Sequence, residues 1–348
     1  MLDLLLFIAV LGFLILAHEF GHFLAARLRG VKVEEFGIGF PPRMLTLFER
    51  NGTKYTLNWI PLGGFVRPAG EDDPEEPDGL AASSKRTRTA VLLAGPLMNI
   101  VIAFLAFFIA FKFAAPDAER VLITDVTNGT PGHTAGIITG DLVLSINDVS
   151  IDGFDRMVEV VSASKGNPTS IDLLRDGEIV TVNLVPREEY PDGQGPIGVT
   201  LGYPVRSVSW IEASGMSVDS MFFQVNALMR LPGRLISGEA TPEEARVSGL
   251  KGIHDMLSWA SAIDRSSQRP FVTLNIIGVI SLGLAIANLL PIPALDGGRL
   301  TFVALEAILG RRISPQLQGY AHAIGFVLLL ALMVYFNIQD FINPITLP

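Results

Sequence analysis

The chain has no cysteine in its 348 residues. That excludes a disulfide framework, a thiol nucleophile and any thiolate-held metal, so a bound metal must be held by His, Asp or Glu. Histidine is also scarce, with five copies, and charged residues make up only 18% of the chain. The net charge of -9 argues against nucleic acid as a partner. The start, Met1-Leu2-Asp3, lacks the basic n-region of a cleaved signal peptide, so the apolar segment after it is expected to be retained as a transmembrane helix. Apolar residues, in contrast, are abundant. A hydrophobic share of 49% and a mean hydropathy of +0.43 point to a membrane protein, with room for more than one domain.

Four segments are long and apolar enough to span a bilayer: about 2–28, 90–115, 271–290 and 319–336. Arg29, Lys32, Arg43, Arg50, Lys54, Arg67, Lys85, Arg86 and Arg88 lie between the first two, and Arg299, Arg311 and Arg312 follow the third. The positive-inside rule puts both loops in the cytoplasm, and the termini and the long central region outside.

The first apolar segment contains Ala17-His18-Glu19-Phe20-Gly21-His22, an HExxH motif. On a helix, His18 and His22 share one face and can reach one metal ion, and Glu19 on the flank of that face is suited to deprotonating water beside it. Two imidazoles and a carboxylate in an otherwise apolar run are costly unless something binds them. Two histidines do not complete a zinc site, and Asp296, Glu306, His322 and Asp340 are the candidates near the later spans. Asp296 stands out. It follows Asn288-Leu289-Leu290-Pro291-Ile292-Pro293-Ala294-Leu295 and precedes Gly297-Gly298, a helix-breaking stretch of the kind tolerated beside a span when it lines an enclosed cavity. It also falls on the same side of the membrane as the histidines.

Residues 31–67 read as strands. Met44 to Glu49 and Tyr55 to Ile60 alternate apolar and polar around Asn51-Gly52, which suits a tight hairpin turn. Such a hairpin either only packs or, through Gly63, Gly64 and Phe65 at an edge near the metal, pairs with an unwound substrate. The run from Glu71 to Asp78 reads as a solvated acidic loop. Gly95-Pro96 is expected to start or kink the second span, and Asn99 within it needs a partner, as interhelical glue or as part of a site. Met221 to Leu231 and Leu250 to Ala262 read as amphipathic helices separated by Gly233, Gly238 and Pro242, suited to lying on the outer leaflet. From 121 to 203 the pattern changes to short strands with Gly, Asn and Asp turns.

Within that region, Val126-Thr127-Asn128-Gly129-Thr130-Pro131, Ala135-Gly136-Ile137 and Gly140-Asp141-Leu142-Val143-Leu144-Ser145-Ile146-Asn147 resemble a bacterial protease-associated PDZ domain. The resemblance implies a small β-barrel module outside the membrane that binds peptide tails or acts as a steric cap. HEFGH, Gly95 to Asn99, one PDZ module, Asn288-Leu289-Leu290-Pro291 and Leu295-Asp296-Gly297-Gly298, in this order, resemble the site-2 protease family of intramembrane zinc metalloproteases, bacterial regulator-of-sigma-E type. The resemblance implies that His18, His22 and Asp296 bind Zn2+, that Glu19 is the base, and that Asn288 contacts the substrate backbone or the oxyanion.

The resulting expectation is a membrane α-helical fold of about four transmembrane helices with a membrane-associated β-hairpin and an inserted extracytoplasmic PDZ domain. The divisions are residues 1–118 (first catalytic half), 119–205 (PDZ), 206–270 (amphipathic connector) and 271–348 (second catalytic half). The expected activity is regulated intramembrane proteolysis in the bacterial cytoplasmic membrane, with the site toward the cytoplasm. Substrates would be single-pass membrane proteins, with anti-sigma factors and signal-peptide remnants as candidates. Two competing readings are a membrane-anchored PDZ scaffold without proteolysis and a different membrane zinc peptidase that uses Glu306 as ligand.

Overall fold

The computed structural model describes residues 2–71, 73–191, 193–239, 246–267 and 269–344; Asp72 of the acidic run and Pro242 of the connector lie outside them. By contacts the chain divides into two compact units. One comprises Met1–Phe108, Ser214–Ala262 and Val272–Pro348, and the other Ile109–Ala213 and Ile263–Phe271.

The first unit opens with α1 (Leu2–Leu28). Its buried residues, Phe7, Val10, Leu11, Leu14, His18, Gly21, His22 and Ala26, recur at three- and four-residue spacing and form one stripe. Leu4, Leu5, Phe13, Phe20 and Leu24 point outward, as lipid-facing side chains do. The upper part of the stripe packs with Leu257, Ile276, Ile277, Ile280 and Leu284.

Two long strands follow, β1 (Val33–Arg50) and β2 (Thr53–Pro68). Asn51 and Gly52 join them with φ of 50° and 74°, the left-handed pair that a tight hairpin of the I′ type requires. Both strands bend. Residues 43–50 pair with 53–58, and the 33–38 segment is flanked by 54–57 on one side and 64–68 on the other, so 64–68 forms an edge. The alternating residues 44–49 present no face covered by other described residues. From Phe40 to Arg50 β1 is exposed throughout, with Met44, Leu45, Leu47, Phe48 and, from β2, Trp59 and Ile60 uncovered. Among the described residues, no protein layer lies over this part of the sheet.

Helix α2 (Lys85–Ala114) contains Pro96 in its interior. The expectation that Gly95-Pro96 starts the second span is therefore corrected. Ser84 and Thr87 hydrogen-bond across the first turn, and the helix runs eleven residues, 85–95, before the proline, whose missing N–H costs one ladder bond. In the connector, α5 (Trp210–Ser237) includes Pro232 and Gly233, so Gly233 lies within a helix and not between two. Helix α6 (Leu250–Ser267) comes next, then α7 (Phe271–Leu289), α8 (Asp296–Leu309) and α9 (Pro315–Ile342). The buried Asp340 of α9 accepts hydrogen bonds from the backbone N–H groups of Gly249 and Gly252 and from Arg246, which satisfies donors at the start of α6. Among the described residues, α1, α2, α7 and α9 are long and apolar enough to cross a membrane.

The second unit is an antiparallel sheet with two short helices: β3 (Val121–Val126), α3 (Pro131–Thr134), β4 (Leu142–Ile146), β5 (Val149–Ser150), α4 (Phe154–Ala163), β6 (Thr169–Arg175), β7 (Glu178–Leu184) and β8 (Val199–Gly202). Its order is β7-β6-β4-β3-β8, with β5 beside β4. Val121, Ile123, Ile146, Ile171 and Leu173 are the centre of its core, against which Met157 and Val161 of α4 pack. The fully buried Asp141 is held by the Arg175 guanidinium through two bonds of 2.8 and 2.7 Å. His133 is exposed on α3.

Candidate active site

The HExxH face of α1 meets the first turn of α8. His18 Nε2 and His22 Nε2 lie 3.1 and 3.3 Å from Asp296 Oδ2, and 3.2 Å from each other. Among the described residues, these three form the group whose ligand atoms are close enough together to hold a metal ion. The triangle they form matches the spacing of ligands around a tetrahedral zinc ion: bonds of about 2.0–2.1 Å at tetrahedral angles separate neighbouring ligand atoms by about 3.3 Å.

Protonation supports the same fit. His22 Nδ1 lies 2.8 Å from the carbonyl oxygen of Val91, which can only accept, so Nδ1 carries the proton. Nε2 of His22 is then the nitrogen that faces His18 and the Asp296 carboxylate, and it would offer its lone pair to a metal bound there.

The local sequence explains how Asp296 arrives there. Pro291 and Pro293 prevent α7 from continuing, and Ala294 takes a left-handed φ of 79° before α8 begins at Asp296. The Ala294 N–H donates to His322 Nδ1 of α9 at 2.8 Å. Gly297 and Gly298 let α8 fold back on this link: a Cβ on either would stand 2.2 Å from Leu290 O or 2.3 Å from Ile292 O.

Glu19, His18, His22 and Asp296 line one cavity of about 290 Å³ with Phe65, Val66, Asn288 and Arg299. The Val66 N–H, on the edge segment of β2, donates to Glu19 Oε2 at 3.2 Å. Asn288 faces the cavity but donates its amide to Leu284 O of its own helix. Gly63 and Gly64 do not line the cavity; they let β2 lie against α1, where a Cβ would meet Ile15 at 2.5 Å or Leu16 at 2.8 Å. Glu306 is away from the histidines and pairs with Arg88 at 2.6 Å. Sequence reasoning passed over Arg299, three residues beyond Asp296, which joins Glu71 at 3.0 Å at the cavity wall. Its helical spacing from Asp296 was a usable signal. The backbone groups of Val91 and Val66 left none, because every residue carries them.

The model of peptidase family M50 matches residues 6–332. Among relatives, a Brucella suis protein provisionally named a zinc metalloprotease is 31% identical, over 96% of this chain and 93% of its own. The zinc metalloprotease RasP of Geobacillus kaustophilus is 27% identical over 96% of both chains. RasP of Oceanobacillus iheyensis is 28% identical over 96% of this chain and 97% of its own. Taken with the four apolar helices and the triad, the match over nearly the whole length leads to one assignment: the chain belongs to peptidase family M50, the site-2 protease family, and is a membrane metalloprotease.

Proposed function

We propose that the protein is an intramembrane endopeptidase that cuts within or beside the transmembrane helix of single-pass membrane proteins. Zinc is the expected cofactor, and His18, His22 and Asp296 would hold it, leaving one position open. When bound, zinc supplies Lewis acidity, polarising a peptide carbonyl and making water acidic near neutral pH. Glu19 takes the proton of the attacking water and delivers it to the leaving amine. Asn288 turns its amide from Leu284 O to the developing oxyanion.

A transmembrane helix has its peptide groups satisfied internally and must be unwound before hydrolysis. The 64–68 edge, with Phe65 and Val66 at the cavity, receives the unwound segment as an added strand, and Gly63 and Gly64 bring that edge against α1. The uncovered apolar end of the hairpin, with Trp59 and Phe48, dips into the lipid interface. The basic loops lie in the cytoplasm of a bacterial cell, and the catalytic halves are residues 1–118 and 271–348.

Residues 119–205 act outside the membrane as a PDZ module and 206–270 as the connector. Support for the module comes from the open edge of β8 and a cavity of about 100 Å³ beside it, lined by Met157, Val161, Ile197, Val199 and Leu201, a size suited to one apolar side chain of a peptide tail. The substrates are membrane proteins already trimmed by another protease, with anti-sigma factors and signal-peptide remnants as the classes to test.

The observation that carries this reading is the 3.1–3.3 Å triangle of His18, His22 and Asp296 with Glu19 in the same cavity. Glu19→Gln is expected to retain zinc and fold while cleavage of a transmembrane substrate is lost; full activity in that variant would remove Glu19 as the base. The trapped variant, recovered from membranes, should also carry its substrates with it.

A further inference from the structure

On α2, Val91, Gly95 and Asn99 are spaced four apart and form a stripe against the HExxH face of α1. Val91 O engages His22 Nδ1 at one end. Gly95 lies in the middle, where a Cβ would stand 2.3 Å from His22 Nε2 and 2.8 Å from His18 Cε1. At the other end Asn99, 1% exposed, holds its side-chain amide 3.3 Å from His18 Nδ1.

The two ends of a carboxamide are nearly isosteric, so its neighbours decide which faces which partner. If the amino end faced His18 Nδ1, that nitrogen would be the acceptor and the His18 proton would sit on Nε2, inside the triangle with His22 and Asp296. If the carbonyl end faces it, Nδ1 donates and Nε2 offers its lone pair, as His22 does through Val91 O. Either orientation leaves one end of the amide without a partner among the described residues, so His18 decides the choice. Ser281 of α7, fully buried, fixes the location by donating its hydroxyl to the Asn99 backbone oxygen at 2.8 Å.

We infer that Asn99 is a positioning residue for the metal centre: its side-chain carbonyl accepts the Nδ1 proton of His18 and so fixes the tautomer and ring orientation in which Nε2 binds metal. This rests on the proposed zinc site. Outer partners of metal-bound histidines typically govern about 10–100-fold in affinity.

The test uses the full chain in detergent, comparing the unaltered protein with Asn99→Asp and Asn99→Leu, and reads zinc content and the rate of zinc loss to a chelator. Aspartate keeps the acceptor and cannot donate. Asn99→Asp is therefore expected to hold zinc as slowly exchanging as the unaltered protein, and Asn99→Leu to lose it about 10–100-fold faster. Equal loss in both variants would mean that the amide works as a donor, and unchanged retention in Asn99→Leu would mean that it does not position His18. Either result overturns the inference. Nitrogen NMR of the zinc-loaded, histidine-labelled unaltered protein gives a reading that survives any folding failure: His18 should be protonated at Nδ1 and metallated at Nε2, and the reverse overturns it. An unaltered protein that holds no zinc instead overturns the catalytic reading itself.

Discussion

Helix α8 carries a carboxylate near each end, ten residues apart, in opposite electrostatic situations. Glu306, 1% exposed, receives Arg88 at 2.6 Å and the Ile313 N–H at 3.2 Å, so its charge meets a fixed counter-charge. The Lys85 ammonium also donates to its backbone oxygen. Asp296 faces two imidazoles whose outer nitrogens are engaged elsewhere, and no guanidinium or ammonium within ion-pair distance is seen among the described residues. A buried carboxylate with an arginine is a staple between helices, whereas one that faces two imidazole nitrogens is placed to share a metal ion with them. Composition cannot distinguish the two, because both are acids near the end of a late span.

The sharpest way to break this comparison is to remove each acid in turn. Asp296→Ala is expected to abolish cleavage and leave no stoichiometric zinc, while the thermal midpoint of the zinc-free protein stays where it was. Glu306→Ala leaves the Arg88 charge buried without its partner and is expected to cost about 3–5 kcal/mol of stability, with zinc retained in the fraction that folds. Metal analysis and thermal melts of both proteins decide the matter. Zinc lost from Glu306→Ala alone would restore the competing ligand assignment.

A smaller effect sharpens the staple side. Replacing the pair together, Glu306→Leu with Arg88→Met, removes both charges and puts apolar volume in their place. Buried ion pairs exchanged in this way are often neutral or stabilising, so the double variant is expected to recover most of the stability that Glu306→Ala loses. A double variant that melts as low as Glu306→Ala would mean that the remaining bonds of Glu306, to Ile313 and Gln318, carry the effect.

Much of the site was legible because it is local. His18 and His22 announce themselves by four-residue spacing, and the segment around Asp296 by prolines and glycines that no continuous helix accommodates. The Asn51-Gly52 turn was legible for the same reason, since both residues tolerate left-handed backbone. The folding of two bent strands into a wider sheet was not, because long-range pairing leaves no period in the sequence. On α2, Asn99 was legible as a buried polar residue in need of a partner, but the contacts of Val91 and Gly95 were not: Val91 contributes a backbone oxygen, and the space Gly95 leaves matters only once two helices cross there. The alternation in residues 44–49 signals a strand, and the exposed apolar side chains there show its limit, because a pattern reports amphipathicity without saying whether protein or lipid covers it.

Glu35 in β1 tests the staple argument in milder form. Its buried carboxyl sits 2.7 Å from Arg43 and 3.5 Å from Arg67 and accepts the Thr56 hydroxyl at 2.8 Å. Burial raises its pKa, but the Thr56 hydrogen bond and the two guanidinium groups outweigh burial and hold it below the ordinary 4.5. A carboxylate with a depressed folded-state pKa contributes stability above its unfolded value and loses it as pH falls through the folded one. The loss should therefore begin as pH drops below about 4.5 and be complete below the folded pKa. Because Arg43 and Arg67 are about half exposed, water and salt screen them, and the contribution is expected to be about 1 kcal/mol or less. Thermal melts from pH 6 downward, with the unaltered protein beside Glu35→Gln, measure it. The glutamine variant should be less stable at pH 6, and the gap should close as the solution is acidified. A gap that stayed constant across that range would assign the role of Glu35 to hydrogen bonding alone, and the arginine staple would then be particular to the Glu306 end of α8.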